Sequence, residues 1–310
     1  MKKQRIIVSG YIGLYPSGGV TWDYIQYPLG LLLAGCDVSY FEDTHQYPVF
    51  QQDGEKWDDC TASVNYLMSA MENAGLGDRW AYRDEGTGKW FGLAEHQVKE
   101  IFRTADIFIN VSASTYVEGH DYDHIPVRVL IDSDPMFTQV QFWREDVADH
   151  NIPAITQAFA WYTHLFSFGE NIGQSDCLIP TFAFNWKTTR QPICINHWAG
   201  NSVQMNGTAF TTIMNWSARI PMIYDKQTWG QKDTEFFRFK NIPQLYKSHP
   251  FSIVIACAAH GKEHFSKQAI EQDGWQVLEP AQYVNTAEEY KQFIHQSLGE
   301  FSVAKETYKG

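Results

Sequence analysis

The chain has 310 residues, room for two domains of ordinary size, and 44% hydrophobic residues, which excludes a disordered chain. A formal net charge of −12 with no Lys/Arg run excludes binding of nucleic acid through its phosphates, so no nucleic-acid partner is expected. No stretch reaches the roughly 18 apolar residues of a membrane span, and the five cysteines form no CxxC pair, so neither a zinc site nor a disulfide framework is indicated and a reduced, cytoplasmic protein is expected.

Residues 5–12 (RIIVSGYI) read as a buried first strand, followed by the Gly-rich loop GLYPSGG. A helix is expected from about Thr21 to Leu33, kinked at Pro28 and ended by Gly35. DVSYFED (37–43) then completes a βαβ opening, whose ligands bind beyond the carboxyl ends of the strands. Residues 44–60 read as irregular, 65–73 and 96–102 as helices, and ADIFINVSAS and PVRVLIDSD (126–134) as strands. Residues 153–161 read as a helix and 164–170 as a strand entering the loop GENIGQ. This alternation predicts a parallel, doubly wound sheet.

A second such series is expected from about Trp186–Gln191. Its strands are PICINHW (192–198), one within SARIPMIYDK, and the strongly apolar FSIVIACA (251–258). Helix, Gly turn and strand follow through HFSKQAIEQDGWQVLEP, and then a helix over 287–297. The boundary falls near 180–192, giving lobes of 1–188 and 189–310. FSIVIACA is too apolar for an uncovered sheet edge.

The loop GYIGLYPSGGVTWDY carries the most information. Gly18 and Gly19 permit positive φ and close backbone approach, and the helix behind them offers N–H groups and a positive dipole end to an anion. Asp23, in the first turn of that helix, is either functional or a cap. Glu42 and Asp43 end the second strand, where a dinucleotide-binding acid would sit, but GxGxxG is absent and a nicotinamide reading is set aside. Asp132-Ser133-Asp134 could hold a divalent cation; Pro135 makes a plain turn the favoured alternative, with an aspartate still facing the cleft. His164, Glu170 and Arg190 lie near strand ends, where Arg190 could bind a phosphate or form an ordinary ion pair. His197 is a base or a structural histidine. In the second half, Lys232 and Lys305 could neutralise a diphosphate and Glu300 could accept sugar or ribose hydroxyls, unless these are solvated loop charges. Aromatic residues make up 15% of the chain, which suits the stacking of sugars and bases. No G-x-S-x-G, H-E-x-x-H or Walker loop is present, so hydrolase and ATPase readings lose their anchors.

The run GYIGLYPSGGVTWDYIQYPLGLLLAGCDVSYFED, then LGDRWAYRD, KWFGL, LIDSDPMFTQ, FSFGENIG, NWKTTRQP, GQKDTEFFRF and GEFSVAK, resembles bacterial glycosyltransferase-like proteins of the GT-B fold, in order along the whole chain. The resemblance implies two Rossmann-like lobes, the first taking a small-molecule acceptor and the second a nucleotide-sugar donor, with no metal and no other cofactor. By position it implies Asp23 as the base; Gly18, Gly19, Trp22, Asp132, Asp134, His164, Glu170 and Arg190 are the sequence's own candidates for substrate contact on the acceptor side. Lys232, Asp233, Glu300, Phe301, Ser302 and Lys305, in the two charged Gly-containing segments, are its candidates for the donor side. Similar proteins continue past GEFSVAK, so the second lobe is expected to be incomplete and transfer at this length weak.

Overall fold

The computed structural model describes residues 3–48, 59–115, 121–140, 157–182, 184–199, 207–257 and 265–308. Parts of the expected irregular stretch (49–58) and of the expected helix (153–156) lie outside the described residues, as do Ala258 and His264; residues 157–160 are helical. The chain divides into two compact units. One comprises Met1–Pro16, Val20–Phe50 and Glu55–Cys194; the other Ser17–Gly19, Gln51–Gly54 and Ile195–Gly310.

In the first unit the elements run β1 (Arg5–Ser9), α1 (Gly18–Leu33), β2 (Asp37–Glu42), α2 (Thr61–Asn73), β3 (Trp80–Arg83), β4 (Trp90–Gly92), α3 (Glu95–Thr104) and β5 (Ile107–Val111). They continue through β6 (Val127–Asp132), α4 (Pro135–Val140), β7 (His164–Ser167) and β8 (Trp186–Thr188). The eight strands are ordered β4-β3-β2-β1-β5-β6-β7-β8. Every pairing is parallel except β3 with β4. This is the doubly wound order that the βαβ pattern predicts. The sheet is buried on both faces: Ile6 and Val8 of β1 enter one apolar cluster and Ile7 the other.

Helix α1 begins at Gly18, three residues before the expected start, and runs through Pro28. It ends as expected: Gly35 takes φ 87°, while its N–H reaches Leu32 and that of Cys36 reaches Leu31. Gly18 and Gly19 are helical, so neither uses the positive φ allowed to it.

The second unit holds α5 (Ile195–Trp198), β9 (Phe210–Asn215), β10 (Met222–Tyr224), β11 (Gln227–Trp229), α6 (Lys232–Phe236), α7 (Ile242–Leu245) and β12 (Phe251–Ala256). It ends with α8 (Lys267–Gln272), β13 (Trp275–Leu278), α9 (Pro280–Tyr283), α10 (Ala287–His295) and β14 (Gly299–Glu300). Four strands form an all-parallel sheet ordered β13-β12-β9-β14. Here too both faces are buried: Ile253 and Ile255 of β12 enter one cluster and Val254 the other. β12, the core of FSIVIACA, is an interior strand as its composition requires. Thr286 and Glu289 start α10 with reciprocal bonds, Glu289 N–H to Thr286 Oγ1 at 3.2 Å and Thr286 N–H to Glu289 Oε2 at 2.9 Å.

Three expectations are corrected. Trp186–Thr188 does not begin the second series; it pairs with β7 as the last strand of the first sheet. Residues 192–198 are not a strand. The Cys194 N–H goes to the Gln26 side chain at 2.7 Å, Ile193 and Ile195 are exposed, and Ile195–Trp198 is a helical turn. The strand within SARIPMIYDK exists, but it forms an antiparallel hairpin with β11 outside the parallel sheet.

Candidate functional site

The carboxyl ends of the first sheet carry buried polar groups. Ser9 ends β1, Glu42 ends β2, Asn110 lies one residue from the end of β5, Asp132 ends β6 and Ser167 ends β7; none is more than 1% exposed. The topological switch lies between β1 and β5, the position at which doubly wound sheets hold their ligands.

Buried polar atoms need partners. Ser9 and Asn110 are register neighbours, and Ser9 Oγ donates to Asn110 Oδ1 at 3.1 Å. Ser114 Oγ donates to Ser9 Oγ at 2.9 Å, and Asn110 Nδ2 donates to Tyr162 Oη at 2.8 Å and to the Thr115 carbonyl at 2.9 Å. This network holds the loop after β5 in a strained shape. Ser112 and Ala113 both adopt left-handed φ, 58° and 51°, and the Ser112 hydroxyl lies 2.6 Å from that of Ser133. Such conformations cost about 1–3 kcal/mol each and collect at functional sites.

Glu42 anchors the loop after β1 from within. Its Oε1 accepts the Gly13 N–H at 2.7 Å and the Tyr40 hydroxyl at 2.8 Å, while Oε2 accepts the Leu14 N–H at 3.1 Å. Burial pushes its pKa up to about 7, against the pull of those donors. A Cβ on Gly10 would lie 2.5 Å from the Tyr24 ring and 2.6 Å from Tyr40 Oη, so the loop also requires glycine there. Ile12, Gly13 and Leu14 are buried, leaving Tyr11 and Tyr15 half-buried with ring centroids 5.4 Å apart. In the sequence Glu42 stands, with Asp43, where a dinucleotide-binding acid would sit. Its carboxylate is occupied by the loop.

Asp132 closes the turn from β6 into α4. Its Oδ1 accepts the Thr138 hydroxyl at 2.8 Å and the Asp134 N–H at 3.2 Å, and burial pushes its pKa up to about 6. Asp134 is half-buried in that turn, and its carbonyl accepts the Thr138 N–H at 3.0 Å. Among the described residues no three His, Cys, Asp or Glu side chains converge on a point that could hold a metal ion.

Helix α1 carries Gly18, Gly19, Trp22 and Asp23 onward from the carboxyl end of β1. Because α1 starts early, Asp23 lies in its second turn rather than its first; the side chain is exposed and the carbonyl accepts Gln191 Nε2 at 2.8 Å. Trp22 is half-buried against the core. Glu170 and Arg190, in the loops after the adjacent strands β7 and β8, form an exposed ion pair, and Arg190 holds the Glu170 carboxyl below its ordinary pKa. His164 is not brought to this edge. It is the first residue of β7, paired with Val129, so it lies at the amino end, exposed beside the Thr163 hydroxyl. A recess of about 350 Å³ also lies at the amino ends, but Arg5 and Arg79 there are both engaged by Asp37, at 3.2 and 2.9 Å.

In the second unit the end of β9 draws several predicted residues together. The Asp233 N–H donates to the Trp216 carbonyl at 2.9 Å, fastening α6 to that strand end. The Gly230 N–H donates to Glu306 Oε2 at 2.6 Å and the Glu306 N–H returns to the Gly230 carbonyl, two residues before Lys232, while Lys305 Nζ lies 5.2 Å from the Tyr308 ring. Gln231, 1% exposed, has neither amide atom hydrogen-bonded, an orphan that no sequence signal marks. Glu300 and Ser302 are exposed near the amino half of β9, since Glu300 pairs with Thr211. Phe301 packs into the core against Phe239 and Trp275, with centroids at 5.4 and 6.1 Å.

No protein-family model matches the chain, and no curated protein is similar to it. Among solved structures, an alpha-glucosyltransferase in complex with UDP and a 13-mer DNA containing a central A:G mismatch is similar over 97% of this chain and 71% of that chain, at 9% identity and a TM-score of 0.49. Arabidopsis thaliana UGT89C1 complexed with UDP-L-rhamnose is similar over 90% of this chain and 70% of that one, at 10% identity and a TM-score of 0.26. Neither likeness assigns a residue or an activity.

Proposed function

We propose that this chain is a glycosyltransferase of the GT-B type that moves a sugar from a nucleoside diphosphate to a hydroxyl acceptor, needing no metal and no cofactor besides the nucleotide-sugar. The observation that carries the reading is a repeated strand order. β3-β2-β1-β5 in the first unit recurs as β13-β12-β9-β14 in the second, each with charged groups past the carboxyl ends. Two such sheets suit a protein that holds two substrates.

In this reading the first unit takes the acceptor, using Trp22, Asp134 and the Glu170–Arg190 pair, while Asp132 shapes the turn beneath them; Gly18 and Gly19 belong to the second unit, where the Gly18 N–H is taken by the Val284 carbonyl, and are left out of the acceptor side. Asp23 removes the hydroxyl proton as that oxygen attacks the anomeric carbon and the bond to the diphosphate oxygen breaks. Lys232 and Lys305 balance the charge left on the diphosphate, and Asp233 meets a hydroxyl group of the donor, while Glu300 and Ser302, near the amino half of β9, are left out. His164 and Phe301 are left out because of where they lie. No disulfide joins the five cysteines among the described residues, and a reducing, cytoplasmic setting belongs to the same reading.

The test is a panel of nucleoside diphosphates and their sugars, read by thermal shift and by release of the diphosphate, with and without EDTA. At least one diphosphate is expected to raise the melting temperature, and turnover of its sugar form is expected to survive chelation. Binding without turnover would leave a non-catalytic nucleotide-sugar-binding protein. Loss of turnover with EDTA and its return with Mg²⁺ or Mn²⁺ would give Asp132-Ser133-Asp134 back to a metal.

A further inference from the structure

Five neighbouring loops at the carboxyl edge of the first sheet are joined by an unbroken run of contacts, all within the first unit. Glu85, after β3, meets His45 Nδ1 at 3.3 Å, and His45, after β2, meets Asp43 through Nε2 at 3.4 Å. Gln46, the next residue, accepts the Tyr15 hydroxyl at 3.5 Å. Tyr15 and Tyr11, both after β1, meet edge to face, and the Tyr11 hydroxyl donates to the Ala113 carbonyl, after β5, at 3.4 Å. Ser112, beside Ala113, meets Ser133, after β6. The strands stand in the order β3-β2-β1-β5-β6, and adjacent strands lie about 4.8 Å apart, so the run extends about 19 Å along the edge.

Solvent reaches this run. Asp43 is buried beneath it, Gln46 and Ala113 are exposed, and the rest is half-buried. Its backbone is also strained: of six non-glycine residues with positive φ among the described residues, His45 (52°), Ser112 and Ala113 lie here. Its charge is one-sided. Among the described residues, each Lys or Arg at the ends of the parallel strands of this edge, or in the loops after them, already faces a partner. Arg83 meets Asp43 at 3.4 Å, Lys89 lies over the Phe91 ring at 4.8 Å, and Arg190 meets Glu170.

We propose that this run is a groove for an uncharged oligosaccharide, which serves as the acceptor. A pyranose ring presents an apolar C–H face to an aromatic ring and hydroxyl groups around its rim. Those hydroxyls donate to carboxylate, amide and carbonyl oxygens, the groups that alternate here with Tyr11 and Tyr15. An anionic acceptor would meet Glu85 with no cation that is not already facing a partner. A phenol could lie on a tyrosine, but its one hydroxyl would leave most of these polar groups without a ligand partner. The length of the run exceeds one sugar ring, so the ligand is an oligosaccharide rather than a monosaccharide. The inference deepens the glycosyltransferase reading and rests on it for the reaction; the binding is tested without any donor.

The experiment screens the full chain on an array of neutral, sialylated and sulfated oligosaccharides. The best neutral glycan, its monosaccharide and p-nitrophenol are then titrated by calorimetry. Neutral glycans are expected to bind, the oligosaccharide more tightly than its monosaccharide, and the anionic glycans and the phenol are not. Tyr15→Ala and Glu85→Gln are each expected to weaken that binding by roughly ten-fold. Tyr15→Phe, which keeps the ring, is expected to lose less than Tyr15→Ala, and circular dichroism of each variant reports that the fold is kept. The proposal is overturned if no neutral glycan binds, if anionic glycans or the phenol bind more tightly, or if neither Tyr15→Ala nor Glu85→Gln changes the affinity. Transfer from a nucleotide-sugar to a phenol alone would keep the transferase reading and remove this one. Glycan binding with no turnover of any nucleotide-sugar would remove the transferase reading and keep the groove.

Discussion

At Glu42 one buried carboxylate holds two backbone N–H groups and a tyrosine hydroxyl, and its charge sets how well it does so. Its pKa is about 7 in the folded chain against an ordinary 4.5, so between those values the folded state binds the extra proton. The side chain therefore favours folding below about pH 4.5, and that contribution, of order 3 kcal/mol, is lost as pH rises through about 7. In urea titrations the wild-type chain is expected to lose stability relative to Glu42→Gln between about pH 5 and about pH 7.5; parallel curves would mean that Glu42 stays ionised throughout. Asp132 gives the contrasting case. Both of its donors go to Oδ1, an oxygen that asparagine keeps. Asp132→Asn is expected to cost under about 1 kcal/mol, while Asp132→Ala, which orphans a buried hydroxyl and N–H, is expected to cost about 1–3 kcal/mol in thermal melts.

Among the elements, glycine substitutions separate the site loop from its scaffold. Gly10→Ala forces a Cβ into Tyr24 and Tyr40 and is expected to change the near-UV circular dichroism of the tyrosines as well as stability. Gly35→Ala meets open space but a φ of 87°, so it is expected to cost about 1–2 kcal/mol with the near-UV signal unchanged. An unchanged signal in Gly10→Ala would show that the loop yields without disturbing its tyrosines. The same contrast explains what was legible in the sequence. Elements carried by continuous apolar runs and local stop signals, such as β1, β12 and the end of α1, were readable. β9 was not, because the centre of the second sheet contains Thr211 and Thr212, buried at 7 and 1%, with Thr211 bonded to Ser297 at 2.6 Å. PICINHW looked like a strand, yet its two isoleucines are exposed and Gln26, far away in sequence, takes the Cys194 N–H. The site followed the same rule. Residues in loops after strands, Glu170 and Arg190 among them, arrived at one edge, whereas His164 opens its strand and lies at the other. Glu42 was missed because its partners lie 28 and 29 residues earlier in the chain.

Among the described residues the main sheet of each unit has its own core, with Ile7, Phe41 and Phe108 in one and Ile253, Trp216 and Trp275 in the other. Separate cores predict separate unfolding. Calorimetry is expected to resolve two transitions, and the one that moves in Glu42→Gln identifies the first unit. A ligand stabilises only the state it binds, by about 2.7 kcal/mol at a hundred times its Kd. If Lys232 and Lys305 hold the diphosphate, UDP or another nucleoside diphosphate is expected to raise the transition that Glu42→Gln leaves alone. Lys232→Ala and Lys305→Ala should each reduce that shift, because a charge-assisted contact contributes about 1.5–3 kcal/mol. Movement of the Glu42-sensitive transition instead would place the diphosphate in the first unit, where the loops after β1 and β5 would have to receive it, and would reverse the assignment of donor and acceptor sides. A single transition that moves as one would show that the two units unfold together.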